Sequence, residues 1–497
     1  MKTVNKITKE KVMKEKVMTP EKLKKIQLRR EKEIKKWEKE KARPRKNTYI
    51  IYLIFIITLI YAVDEIASQI GTLMKTEIAN DLFAKFGQSS VGVLDILSIL
   101  VVPFQAIGLL YRPLADRFGR KLFLIINTFG MSFAMLVIFL SNNIVLYFIG
   151  ACMVQFFIPH DMHVVYIMES APSKKRAVFY SVIKFVANMG VMLIPLLRRM
   201  LMEDASQWRK IYLIPALVGL ISSFIALLTS CETDAFIDSR LKYLRMSDEE
   251  REELKKQKSA ESSQGGLIPA LKFALRHKQL KWLYITATIA NIGFIATTNY
   301  QVIMSYGFAE NFINQGLFAD FGDAVMDAVS VGPITAALFA FPIGSAIAQV
   351  IMGFISDGKG RKAAAITTAF NCLVSFIVFF FGAKYGWNAY LVGFFCGAHI
   401  GSYYSTNDVL IMMIGESSPT NLRSSTISAQ YIVVAIGVAL SNVLALPLMT
   451  ILGNQYIGLI SFCLLVPGFI GALVSMCLKT HDTKGIDMDT VTGCEWD

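Results

Sequence analysis

Twelve stretches of mainly apolar residues recur along the chain, near 48 to 74, 91 to 111, 122 to 140, 143 to 167, 177 to 197, 209 to 229, 281 to 303, 332 to 356, 363 to 382, 387 to 413, 426 to 448 and 455 to 478. Each is about as long as a helix must be to cross a bilayer, roughly 20 residues. In hydrocarbon a backbone has to satisfy its own hydrogen bonds, so runs of this length predict helices and not lipid-exposed strands. They fall into two sets of six. The expected fold class is an all-α integral membrane protein with twelve transmembrane helices in two pseudo-symmetric six-helix bundles. With 54% hydrophobic and 18% charged residues, the 497-residue chain is too apolar for one soluble globule.

The net charge of +13 is concentrated in one place. Residues 1–47 hold 19 Lys and Arg against 7 Glu, which leaves the remainder near neutral. A nucleic-acid partner is therefore not implied. The arm has no cleavage-site pattern and the apolar run after it is too long for a signal core, so it is expected to stay on the cytoplasmic side. With twelve spans, both termini are then cytoplasmic. The expected division is a basic arm (1–47), a first bundle (48–230), a cytoplasmic linker (231–280), a second bundle (281–478) and a tail (479–497). Loop charges support this orientation except at Arg198, Arg199, Arg209 and Lys210, which fall outside. In the arm, Leu23, Ile26, Ile34 and Trp37 recur near helical spacing, as in an amphipathic helix lying on anionic lipid headgroups. A solvated basic arm that only fixes topology fits the same residues. The linker contains Ser247-Asp-Glu-Glu250, a capping box opening a short helix. Seven scattered cysteines have no C-x-x-C spacing and suggest neither a metal site nor a disulfide framework.

Two loops repeat one device. Asp116-Arg-Phe-Gly119-Arg120-Lys121 returns as Asp357-Gly-Lys-Gly360-Arg361-Lys362, each wedged between apolar runs. Glu169, Pro172 and Arg176 return as Glu416, Pro419 and Arg423. Asp161 and Asp408 share that register. Such duplication marks a transporter built from repeats. The motifs resemble those of the major facilitator superfamily, and Glu232-Thr-Asp and Asp482-Thr-Lys-Gly485 resemble fragments of its sugar-porter-like branch. The resemblance implies a major facilitator fold whose first and fourth helices in each half line the pathway. It also implies a cytoplasmic charge network of Asp116, Arg120, Glu169, Arg176, Asp357, Arg361, Glu416 and Arg423. Ion pairs across the inner faces of the two halves would then act as a gating latch.

Polar residues inside spans are costly and mark pathways, and here they gather on spans one, four, seven and ten. Adjacent Asp64 and Glu65 lie about 100° apart on a helix, so one of them faces the pathway. With Asp161 and Asp408 they are the candidate proton couplers, because a desolvated carboxyl can take a proton on one side and release it on the other. Asp161 can instead pair statically with Lys184. Candidate solute ligands are Gln69, His160, His163, Asn299, Tyr300, Gln301, His399, Tyr403 and Asn407, which offer amides, imidazoles and aromatic hydroxyls. Gly393, Gly397 and Gly401 form a stripe for close helix contact. No nucleotide-binding loop, nucleophile elbow or H-E-x-x-H occurs, so neither an enzyme nor a cofactor is expected. The sequence thus reads as a plasma-membrane carrier of a small hydrophilic organic solute, a sugar or organic acid, by proton symport. A uniporter, an organic-anion exchanger and a transporter-like sensor are the alternatives.

Overall fold

The computed structural model describes residues 20–43, 49–111, 115–157, 166, 169, 186, 189–247, 249–253, 267–330, 332–419, 422–486, 491 and 495. Among the described residues the chain is helical, without strands. Helix α1 (Pro20–Lys41) belongs to the arm. The first bundle contains α2 (Tyr49–Leu73), the short α3 (Lys75–Leu82), α4 (Ser90–Tyr111), α5 (Arg120–Phe139), α6 (Ile144–Phe157), α7 (Leu193–Leu201) and α8 (Lys210–Thr229). Helices α9 (Asp234–Arg245) and α10 (Leu267–Arg276) lie in the connection. The second bundle contains α11 (Lys278–Ala290), α12 (Phe294–Thr298), α13 (Tyr300–Asn314), α14 (Phe321–Val329), α15 (Pro333–Lys359), α16 (Arg361–Lys384), α17 (Ala389–Glu416), α18 (Arg423–Leu452) and α19 (Ile457–Lys479).

Among the described residues nine helices are long and apolar enough to span a membrane. They correspond to nine of the twelve sequence windows. The other three windows differ for identifiable reasons. Helix α6 opens the fourth and α7 closes the fifth, and most of the chain between them is outside the described residues. Helix α17 has 28 residues, about 42 Å at the usual rise, but Ser402, Ser405, Thr406, Asn407 and Asp408 make it less apolar. Large apolar side chains such as Phe354 and Ile451, each 78% exposed, point outward from the bundles. A surface of that kind is suited to lipid.

The side that carries α1 and the two glycine-containing loops is the near side; the other is the far side. On the far side α2 and α3 break at Met74 (φ −118°, ψ 18°), and α12 and α13 break at Asn299 (φ −119°, ψ 14°). The two breaks occupy matching places in the two halves. In the second bundle the glycine stripe of α17 lies directly on α15. A Cβ at Gly393 or Gly397 would stand 1.9 Å from the carbonyl oxygen of Ala337 or Phe341, so the two backbones touch.

The arm helix uses its apolar residues against protein. Trp37 is 5% exposed and meets Phe236 edge-on at 5.2 Å, with Ile34 packed beside it. Arg240 pairs with Glu33 at 2.7 Å, and Arg245 with Glu38 at 2.7 Å. The expectation that this face of the arm lies on headgroups is corrected for Ile34 and Trp37, because α9 covers them. The capping box forms as expected, with Ser247 N donating to Glu250 Oε2 at 2.7 Å and Glu250 N to Ser247 Oγ at 3.1 Å.

Candidate functional site

A cavity of about 440 Å³ lies between the two halves. The first half lines it with Glu65, Ser68, Gln69 and Thr72 of α2 and with Val191. The second half adds Thr297, Thr298 and Tyr300 at the α12–α13 break, Phe341, Ser345 and Gln349 of α15, and Tyr404 and Asp408 of α17. Helical periodicity explains the selection, since 65, 68, 69 and 72 share one face of α2 and 404 and 408 one face of α17. Gln69 Nε2 stands 3.4 Å from Glu65 Oε2. Tyr300 stacks on Phe341 with ring centroids 4.9 Å apart and nearly parallel planes. The wall therefore combines carboxylates, amides, hydroxyls and aromatic faces around a space of solute size.

Of the residues singled out from sequence, the cavity brings together Glu65, Gln69, Tyr300 and Asp408. Asp64, next to Glu65, is not part of this wall. Three solute candidates lie inside the second bundle instead. His399 is fully buried between Phe376 and Phe379, with Nδ1 3.0 Å from the Cys372 carbonyl. The Tyr403 hydroxyl donates to Asn291 Oδ1, and Asn291 Nδ2 donates to Asn407 Oδ1 at 2.9 Å, so both are held in a network between α17 and the α11–α12 link. Asn299 and Gln301, each fully buried, belong to the far-side seam. These five placements correct the expectation of cavity-facing ligands. The physical reason is helical: neighbours of a cavity-facing residue point elsewhere. His160, Asp161, His163, Arg176 and Lys184 lie outside the described residues, as does the side chain of Asp116. Sequence reading missed Ser345 and Gln349, whose i, i+4 spacing on an otherwise apolar span was the available signal.

The far side holds the halves together. Thr76 N and Oγ1 donate to Gln301 Oε1 at 2.9 and 2.7 Å, across 225 residues of sequence. Arg198 is fully buried and pairs with Glu77, while its Nη2 donates to the Val329 carbonyl at 2.6 Å. Lys75 pairs with Asp95 and donates to the Thr298 carbonyl at 3.0 Å. Ser89 Oγ donates to the Thr450 carbonyl at 2.8 Å. Two of the four cations that strained the loop-charge pattern are thereby explained: Arg198 neutralises Glu77 in the protein interior, and Arg209 pairs with Asp81 at 2.5 Å.

The near side carries two matching clasps. Arg120 Nε donates to Glu169 Oε1 at 3.1 Å, and Glu169 Oε2 accepts from Thr233 Oγ1 at 2.5 Å. In the second half Arg361 Nε donates to Glu416 Oε1 at 3.1 Å, and Glu416 Oε2 accepts from Thr483 Oγ1 at 2.5 Å. Glu232 accepts from Arg120 N and Lys121 N, both at 3.1 Å, as Asp482 accepts from Lys362 N at 2.9 Å. The motif glycines are required here. Gly119 and Gly360 have φ of +115° and +107°, and a Cβ on them would meet Glu232 Oε2 at 2.2 Å and Asp482 Oδ2 at 2.0 Å. Burial pushes the Glu232 carboxyl above its usual range, against the lowering effect of those N–H bonds. Asp357 also pairs with Arg361, at 3.1 Å, whereas Arg423 donates to the carbonyls of Gly415 and Ser418. Each clasp described here joins residues of one half with the segment that directly follows it, the first with Glu232 and Thr233 and the second with Asp482 and Thr483.

The Major Facilitator Superfamily model matches residues 48–319, and the model described as Sugar (and other) transporter matches residues 249–480. No curated protein matches the chain in sequence. Several solved structures share its fold. The inward open conformation of the xylose transporter XylE from E. coli is 14% identical, covering 89% of this chain and 99% of that one, with a TM-score of 0.57. A D-xylose–proton symporter is 16% identical over 88% and 99%, with a TM-score of 0.54. A bacterial homologue of the human lysosomal transporter Spinster, inward-facing and unoccupied, is 13% identical over 88% and 96%, also at 0.54. At these identities the likeness is one of fold.

Proposed function

Because this chain belongs to the Major Facilitator Superfamily, we propose that it carries a small hydrophilic organic solute across the plasma membrane by alternating access, as a proton symporter. The arm and both termini are cytoplasmic in this reading, which makes the near side the cytoplasmic side. The sequence division into arm, bundle, linker, bundle and tail is kept with it. One observation carries the reading: Glu65 and Asp408, from opposite halves, line one solute-sized cavity beneath a sealed far side. A pathway acid that loses water when the cavity closes and regains it on opening changes its proton affinity between the two states, which is what coupling requires.

Of the four candidate acids, Glu65 is assigned the coupling role, oriented by Gln69, with Asp408 as its counterpart in the second half. Hydroxyls, amides and the stacked Tyr300–Phe341 pair suit the polar edges and flat apolar face of a sugar or polyol. An organic acid suits this wall less, because its carboxylate would meet two others. The near-side clasps keep each half rigid while the halves rock. Lys and Arg on the exposed face of the arm supply the attraction to anionic lipid.

A thermal-shift panel of sugars, polyols and carboxylates on purified protein, followed by counterflow of the labelled hit in proteoliposomes, tests the reading. Exchange of a labelled neutral polyol is expected. A wild-type protein that binds a solute but never exchanges it would leave a sensor in place of a carrier.

A further inference from the structure

Four charged residues that the coupling reading does not use, Lys75, Glu77, Asp95 and Arg198, are each at most 6% exposed in the far-side seam. Buried charges persist only where each is paired and hydrogen-bonded. Here the pairing is divided in the same way twice. Glu77 gives Oε1 to Arg198 of its own half and Oε2 to Gln301 Nε2 of the other half, at 3.1 Å. Asp95 gives Oδ1 to Lys75 of its own half and Oδ2 to Asn299 Nδ2 of the other half, at 3.0 Å. The charges are therefore neutralised inside the first half. What crosses the seam from them is a set of hydrogen bonds to neutral groups: two side-chain amides, the carbonyls of Thr298 and Val329, and the Thr335 hydroxyl, which accepts from Arg198 Nε at 3.3 Å.

We infer that this double carboxylate–amide junction is the far-side gate of the carrier, with Asn299 and Gln301 as the residues that release it; the inference rests on the alternating-access reading above. A seam closed by ion pairs across it would have to separate opposite charges in order to open. This one opens with both ion pairs intact, exchanging hydrogen bonds to neutral groups for hydrogen bonds to water, which is a far smaller change. The same stretch also reaches the solute. Thr297, Thr298 and Tyr300 face the cavity, while Asn299 and Gln301 face the junction. Asn299 is the residue at which the helix breaks, so α13 can pivot against α12 there. A solute that displaces Tyr300 thus acts on both amides through its immediate neighbours.

The test uses spin labels on Lys85→Cys and Leu317→Cys, exposed far-side positions in the two halves, in the full chain with its native cysteines replaced by serine. Gln301→Leu and Asn299→Leu each replace an amide by a branched apolar side chain and leave the ion pairs in place, with the smaller Gln301→Ala and Asn299→Ala as second variants. Asn299→Leu should raise the ratio of long to short far-side distances about tenfold, the size expected for losing one hydrogen bond to a charged group; Gln301→Leu should raise it more, because its two bonds from Thr76 are lost as well, and the double variant should raise it furthest. The exposed far-side variant Gln315→Ala should leave the distances unchanged. If the folded amide variants keep the wild-type distribution, the junction is packing and not a gate. Because the distances require no solute, this outcome is separate from the counterflow result that decides the carrier reading.

Discussion

The near and far sides of the molecule hold charge in opposite ways. On the near side the same clasp is built twice, arginine to glutamate to threonine, and each copy closes between one half and the segment that directly follows it. On the far side there is one junction, its ion pairs lie in the first half, and its remaining bonds bind the second half. The near-side copies stiffen two bodies. The far-side junction decides how those bodies sit against each other. A carrier that rocks needs both, and the difference separates residues that shape the halves from residues that set their relation.

The contrast can be broken most sharply at Arg198. Arg198→Ala leaves Glu77 buried without its cation, and the expected loss is roughly 3–5 kcal/mol, read as a lower thermal midpoint in detergent. The double variant Glu77→Gln with Arg198→Leu should lose less than the single one, because no charge is left alone. A single variant no worse than the double would remove the argument that the pair is neutralised in place.

A smaller and paired effect is expected at the loop glycines. Gly119→Ala and Gly360→Ala each force an L-residue into positive φ and against a carboxylate, costing roughly 1–3 kcal/mol. If the two clasps are equivalent, the two midpoints should fall together. Unequal losses would show that the second copy has diverged in energy while keeping its geometry. Smaller still, Thr483→Val removes one bond to Glu416, at about 1.5 kcal/mol, and Thr233→Val removes the matching bond to Glu169 together with the cap bond from Phe236 N. Their far-side distances should stay those of the wild type, since neither clasp crosses the seam.

The same contrast explains what the sequence made legible. The near-side clasps are duplicated, so Arg120 and Glu169 could be matched with Arg361 and Glu416 before any coordinates. The bundles were readable because hydrocarbon demands long apolar helices. The junction occurs once and is shared unequally: Lys75, Asp95 and Arg198 have no repeat to reveal them, and their partners are neutral amides. Arg198 did leave a trace, as a cation on the wrong side. Asn299 and Gln301 were recognised as costly polar residues in a span, but composition could not tell a cavity from a seam one residue away. Glu65 and Asp64 show the same limit, since spacing required that one face the pathway and only packing chose which. Tyr403 and His399 were drawn into the candidate site because their helix is polar on more than one face.

The most direct test of the coupled-carrier account is uphill uptake by proteoliposomes carrying the Glu65→Gln protein under an imposed proton gradient, beside counterflow in the same vesicles. The account predicts that accumulation against the solute gradient disappears while counterflow continues, and that Asp64→Asn retains both. A Glu65→Gln protein that still concentrates solute when the proton gradient is applied would contradict it.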